Sequence, residues 1–305
     1  MADAPVTGTA ADAGWLSVSE RGSVLGIQFF VWAANALGRG PSRLFLRFVA
    51  LYYVLFHGVG RRGIRQYLVR VQGRATLAME YRQFLRFSEA LLDRAFIASR
   101  KDHYFKLTRT GFHNLKKLRD EKRGAILLGA HLGSFDAMRM QSAKESLPLD
   151  ILGHFSNARM LNAALEKINP NANARVIAID DNNAHFALRI RDLVRAGHLI
   201  GILGDRVGPD TRAVKATFFG AEASFPVGPF MLAALLRCPI YLTFGLYHAP
   251  DRYDLYCEPF AEEVILPRER RNEAVAEYAQ KFADRLEHFV RLAPDNWFNF
   301  YEFWG

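Results

Sequence analysis

Cysteine is nearly missing from this chain: two residues, Cys238 and Cys257, occur in 305. Both sit in apolar stretches, which excludes a disulfide framework and favours buried free thiols. Cys-x2-Cys and His-Glu-x2-His spacings are absent, and the nine histidines are scattered. No structural metal is expected. Between Arg21 and Met79 there is neither an acidic residue nor a lysine, only nine arginines at 21, 39, 43, 47, 61, 62, 65, 70 and 74. The net charge is also +9, so the excess belongs to this one segment. A broadly basic surface is thereby excluded, and with it nucleic acid as a partner. Local contact with an anionic surface fits better, each arginine near it contributing ~1 kcal/mol. No apolar run reaches the ~20 residues of a membrane span. Val24–Leu37 and Leu44–Phe56 come closest, broken by Gly38-Arg39-Gly40-Pro41 and by Gly58–Gly63. Two short helices with a hinge suit a surface-lying or shallow re-entrant hairpin. Arg39, Arg43 and Arg47 would snorkel from one face to lipid phosphates. A buried helical hairpin is the plainer alternative.

What is present centres on Gly124–Arg139. Ala125–Ala130 is an apolar run of strand length. It ends in His131. Gly133 and Ser134 then supply a turn and a helix N-cap, and Asp136 falls in the first helical turn. A neutral imidazole can take a proton from an alcohol, and a carboxylate on its other nitrogen fixes the tautomer. The expected pair is His131 as general base with Asp136 as its orienting acid. Gly-Ser-Phe is not Gly-x-Ser-x-Gly, so Ser134 is no hydrolase nucleophile.

His131-Leu132-Gly133-Ser134-Phe135-Asp136 resembles the His-x4-Asp block of glycerolipid-type acyltransferases, most of all the bacterial branch related to lipid A late acyltransferases. Leu203-Gly204-Asp205-Arg206, Thr217-Phe218-Phe219-Gly220, Phe225–Pro229 and the end Trp297–Trp304 are similar to further blocks of that family. The resemblance implies acyl transfer from a thioester, acyl carrier protein or coenzyme A, to a hydroxyl, with no bound cofactor. It also implies substrate contact for Asp205 and Arg206, against the alternative of a local ion pair closing the turn. Arg159 and Arg212 are weaker candidates of that kind. Phe218 and Phe219 are candidates for an acyl-chain wall, with Gly220 allowing close backbone approach; core packing is the alternative. Backbone N–H groups of Gly133 and Ser134, or Arg206, are candidate oxyanion donors.

Residues 1–22 read as a flexible lead, 23–63 as the membrane-associating hairpin and 64–305 as the acyltransferase domain, its core beginning near 124. Arg65–Leu118 reads as two or three helices. From Gly124 strands alternate with helices: strands at Leu149–Phe155, Arg175–Ile179, Leu199–Leu203, Pro239–Tyr247 and Tyr253–Cys257; helices at Ala158–Ile168, His185–Arg195, Gly228–Leu236 and Asn272–Leu292. This alternation predicts an α/β fold, a mixed but largely parallel sheet flanked by helices. Ligands of such sheets bind beyond the carboxyl ends of the strands. His131, the His154-Ser156-Asn157 turn and Asp205-Arg206 would then line one cleft. The expected protein is a membrane-associated O-acyltransferase at the cytoplasmic face of a bacterial inner membrane, either peripheral or monotopic, or single-span if the second helix extends through Gly58–Gly60. Membrane lipids are its expected partners. A silent lipid-binding scaffold and a thioester hydrolase are the competing readings.

Overall fold

The computed structural model describes residues 24–153, 176–179, 184–208 and 211–304. The expected flexible lead, the helix at 158–168, the His154-Ser156-Asn157 turn and Arg159 lie outside them. Four helices come first: α1 (Val24–Leu37), α2 (Arg39–Phe56), α3 (Gly58–Gln72) and α4 (Leu77–Ala98). There follow β1 (Lys106–Thr110), α5 (Phe112–Asp120), β2 (Ala125–Gly129), α6 (Phe135–Lys144), β3 (Leu149–Gly153) and β4 (Val176–Ala178). Next are α7 (Ala184–Arg195), β5 (Leu199–Leu203), β6 (Ala213–Phe218), β7 (Ala221–Pro226) and α8 (Gly228–Leu236). The chain then forms β8 (Ile240–His248), β9 (Arg252–Ala261) and α9 (Arg271–Leu292).

Among the described residues, seven strands form one sheet in the order β1-β9-β8-β2-β5-β3-β4. Neighbours run parallel except β8 and β9. The centre reads as uninterrupted apolar sequence because helices cover both faces. Ile126, Leu128, Ile200 and Ile202 join one core with Phe282, Leu286 and Phe289 of α9. Ala125, Leu127 and Leu199 join the other core with Leu115 of α5 and Met138 of α6. Alternate residues of one strand thus enter opposite cores, as the two-residue period of a strand requires. The expected α/β class and the mostly parallel sheet are what the structure has. Both cysteines are buried and free. Burial pushes their thiols up, Cys238 to about 11 and Cys257 to about 12.

Three features depart from expectation. First, α2 ends at Phe56 as expected, but Gly58–Gly63 is no loop; it opens α3, bent by 92° from α2. His57 accepts a hydrogen bond from Gly60 N–H at 3.0 Å and so caps the helix. A Cβ on Gly63 would lie 2.4 Å from the backbone of Tyr301, so this glycine serves close approach rather than a turn. The stretch also has Gly-x-Gly-x-x-Gly spacing, but it follows a helix rather than a strand and has no dinucleotide-loop context. Second, β1 and the β6–β7 hairpin had not been expected. The hairpin turns on Phe219 and Gly220, with φ of +49° and +73°. Third, Arg39 and Arg43 are not snorkelling cations. Arg39 is buried against Asp93, and Arg43 pairs with Glu89. Arg61 and Arg65 both pair with the buried Glu80. The acids that answer the arginine-rich segment begin right after it, on α4.

Candidate active site

The parallel register of β2 and β5 sets Gly129 opposite Leu203, and Gly204 N–H extends the pairing by bonding Gly129 O at 2.9 Å. Two residues beyond each strand stand His131 and Asp205. His131 Nδ1 lies 2.8 Å from Asp205 Oδ1, and the His131 backbone N–H donates to Oδ2 at 3.0 Å. Trp297 Nε1–H donates to the same Oδ2, also at 3.0 Å. The Asp205 side chain is fully buried, whereas a third of the His131 side chain is exposed.

The electrostatics follow from this packing. Burial alone would raise Asp205, but His131, Arg206 and the Trp297 hydrogen bond overcome it and hold the carboxyl at about 2. Burial lowers His131, and the nearby Arg206 guanidinium lowers it further; Asp205 opposes both without cancelling them. The pair therefore rests as carboxylate and uncharged imidazole near neutrality. An acceptor on Nδ1 selects the Nδ1–H tautomer and leaves the Nε2 lone pair for chemistry.

The loop after β2 is fixed from two sides. Gly133 has φ +69°, and a Cβ there would lie 2.0 Å from Gly245 O; only glycine fits. Gly133 N–H bonds Asn296 O at 2.9 Å and Ser134 N–H bonds Gly245 O at 2.8 Å. These two amides are committed to backbone carbonyls, so they do not present the oxyanion donors expected of them. Ser134 does cap α6, accepting from Ala137 N–H at 3.2 Å. Phe298 N–H bonds His131 O at 2.9 Å.

The carboxylate in contact with the imidazole is Asp205 rather than the expected Asp136. Asp205, expected at substrate, holds the imidazole. Asp136, expected on the imidazole, lies in the first turn of α6, which packs toward α4. There it pairs with Arg94 Nε and with Arg139 Nη1, each at 3.3 Å. Arg206 donates through Nη2 to Phe298 O at 2.6 Å, beside the Tyr301 ring. Phe218 and Phe219 are buried in the core. Phe218 meets Trp297 edge-on at 5.3 Å and stacks on Trp304 at 5.7 Å. Among the described residues, nothing beyond its chain neighbours comes within 4 Å of a Cβ built on Gly220, and its φ of +73° suits glycine at the turn. Among the described residues no three His, Cys, Asp or Glu side chains converge on a metal position.

Two residues that complete the site had no chemical signal in the sequence. Trp297 stands in the sequence only within the terminal block that resembles the family. Asn296 is fully buried, accepting from Tyr247 N–H at 2.6 Å and donating to Tyr247 O at 3.1 Å. It ties the terminal segment to β8.

A largely parallel α/β sheet thus carries an uncharged, carboxylate-held histidine at the carboxyl ends of its strands, an arrangement suited to acid–base chemistry. Residues 28–305 match the sequence profile of the bacterial lipid A biosynthesis acyltransferases, and the chain belongs to that family. It is accordingly an acyltransferase. Comparison with curated proteins finds no significant match.

Proposed function

We propose that this protein moves a fatty acyl group from a thioester, acyl carrier protein or coenzyme A, to a hydroxyl of a lipid acceptor. His131 Nε2 takes the hydroxyl proton as that oxygen attacks the thioester carbonyl carbon. The carbon–sulfur bond then breaks, and the imidazolium returns the proton to the departing thiolate. Charge balances at each step, and no acyl-enzyme is needed. Asp205 orients the ring and stabilises the imidazolium. Arg206, close enough to lower the imidazole, supplies positive charge for the developing oxyanion. Asp136 holds Arg94 and Arg139 at the start of α6. The observation that carries this reading is the contact between His131 Nδ1 and Asp205, which leaves an uncharged base with Nε2 available.

The acceptor is reached from a membrane in this reading. Phe29, Trp32, Phe48, Leu55, Phe56 and Val59 are each more than half exposed on α1 to α3. Single exposed apolar residues are ordinary, but six large ones on three successive helices are more than scatter. No single described helix is long and apolar enough to cross a bilayer; α2 and α3 pass that test together, bent by 92°. A bent pair lying in the cytoplasmic leaflet of a bacterial inner membrane fits both facts.

The test is mass spectrometry of products from acyl donor and lysolipid or lipid A-type acceptors, with intact protein and with His131→Ala. Acylated acceptor only with intact protein supports the reading. Free fatty acid with no acylated acceptor would favour the hydrolase, and no turnover by intact protein would favour the scaffold.

A further inference from the structure

The segment Pro294–Trp304 lies between the N-terminal helices and the His131 loop. Tyr67 of α3 donates to Pro294 O, and Gln83 of α4 donates to Trp297 O. Gln66 of α3 accepts from Phe303 N–H and donates to Trp304 O, both at 2.8 Å. On its other side the segment bridges to the loop after β2, where Leu132 and Trp297 pair antiparallel. Trp297 is 1% exposed and wedged edge-on among Tyr67, Phe218 and Phe303, with ring centroids 4.9–5.3 Å away. An indole this tightly held has little freedom in where its N–H points. That N–H falls on Asp205 Oδ2, the oxygen shared with the His131 backbone, and leaves Oδ1 to the ring.

We infer that Trp297 is a positioning residue: its indole N–H fixes the rotation of the Asp205 carboxylate so that Oδ1 stays on His131 Nδ1. It rests on the proposed role of His131 as base and adds a partner that acts only through Asp205. Two donors on Oδ2 prevent the carboxylate from swinging away from the ring. They also spread its negative charge, so Asp205 pulls less strongly on a proton at His131. Among the described residues, the charged groups that act on His131 are Asp205 and Arg206 from the loop after β5. Beyond them, Asp295 of the terminal segment is paired with Arg86 of α4, and Arg70 of α3 lies over Trp304.

Trp297→Phe keeps the ring and deletes the donor. The full-length protein, labelled with ¹⁵N at histidine, gives the His131 titration midpoint without substrate, so this readout does not depend on acyl transfer. Trp297→Phe should raise that midpoint by roughly half to one pH unit, because a less satisfied carboxylate favours the imidazolium. Where transfer is measurable, turnover should fall about tenfold or more at unchanged KM. In the Asp205→Asn background the same substitution should change turnover little. An unmoved midpoint, or an equal loss in both backgrounds, would overturn the inference and leave the role of His131 intact. The indole N–H resonance of unsubstituted protein gives a check that needs no variant to fold. It should shift with the His131 titration, and an indole signal indifferent to that titration also overturns the inference.

Discussion

Arg39 and Asp93 form a two-point ion pair, Nε to Oδ1 at 2.7 Å and Nη2 to Oδ2 at 2.8 Å, with both side chains almost wholly buried. The pair joins the first turn of α2 to α4. Tyr253 donates to Asp93 Oδ2 at 2.7 Å, and Arg39 Nη1 bonds Pro250 O, so the β8–β9 turn is tied in as well. Removing one partner leaves the other charged and buried, which costs about 3–5 kcal/mol. Arg39→Ala should lower unfolding free energy by that amount in urea or thermal melts. A loss under about 1 kcal/mol would mean the pair is open to water.

Asp205 and Asp136 should differ in what their amides do. Asp205→Asn preserves shape but can offer its amide N–H to Nδ1, selecting the wrong tautomer; a change of this kind in a catalytic triad costs about 10⁴-fold in turnover. Asp136→Asn weakens two partly exposed ion pairs and should cost far less turnover. Steady-state kinetics of the two variants decides the point. A larger loss from Asp136→Asn would put that carboxylate nearer the chemistry than its pairing with Arg94 and Arg139 implies.

Acid should act through the same pair. Asp205 titrates at about 2 when folded, below its ordinary 3.8. Its contribution to stability is complete above 3.8 and is lost as pH falls through about 2, amounting to about 2 kcal/mol. His131 is lowered from 6.5. The unfolded chain therefore takes up this proton first, and stability starts to fall below pH 6.5. Asp205→Asn should flatten the acid side of a stability–pH curve from chemical denaturation. An unchanged slope below pH 4 would count against the buried carboxylate as its source.

The exposed face of α1–α3 should bind bilayers through apolar contact. Phe48→Ser with Leu55→Ser removes two large exposed side chains without touching the buried ion pairs. Flotation with phosphatidylglycerol-containing vesicles should show at least a tenfold loss of binding, largely insensitive to salt. Unchanged flotation, or a loss that salt alone reproduces, would assign binding to the arginines instead.

The central strands are legible in the sequence because they are buried on both faces, which requires unbroken apolar runs: the run Leu199–Leu203 is the strand itself, and the run Ala125–Ala130 exceeds its strand by one residue. The rule that ligands gather beyond strand ends also brings His131 and Asp205 to the same end of the sheet, where they meet. The partner of the imidazole was harder to read. Asp136 is five residues away in the chain, whereas Asp205 is 74 away, and strand order alone makes it the nearer neighbour. The arginines misled for the same reason, since Arg39 meets its carboxylate across 54 residues. Strand β1 is short, mostly exposed and carries Lys106 and Arg109, so it lacks the apolar alternation that announces a strand.

The spacing of the dyad and its indole has a consequence for how the protein is made. Asp205 emerges 74 residues after the histidine it steadies, and Trp297 another 92 after that. Contacts so distant along the chain close slowly, and no local folding unit holds all three. A nascent chain can lay down its central strands while the proton-transfer machinery is still incomplete, so competence for chemistry arrives late in biosynthesis.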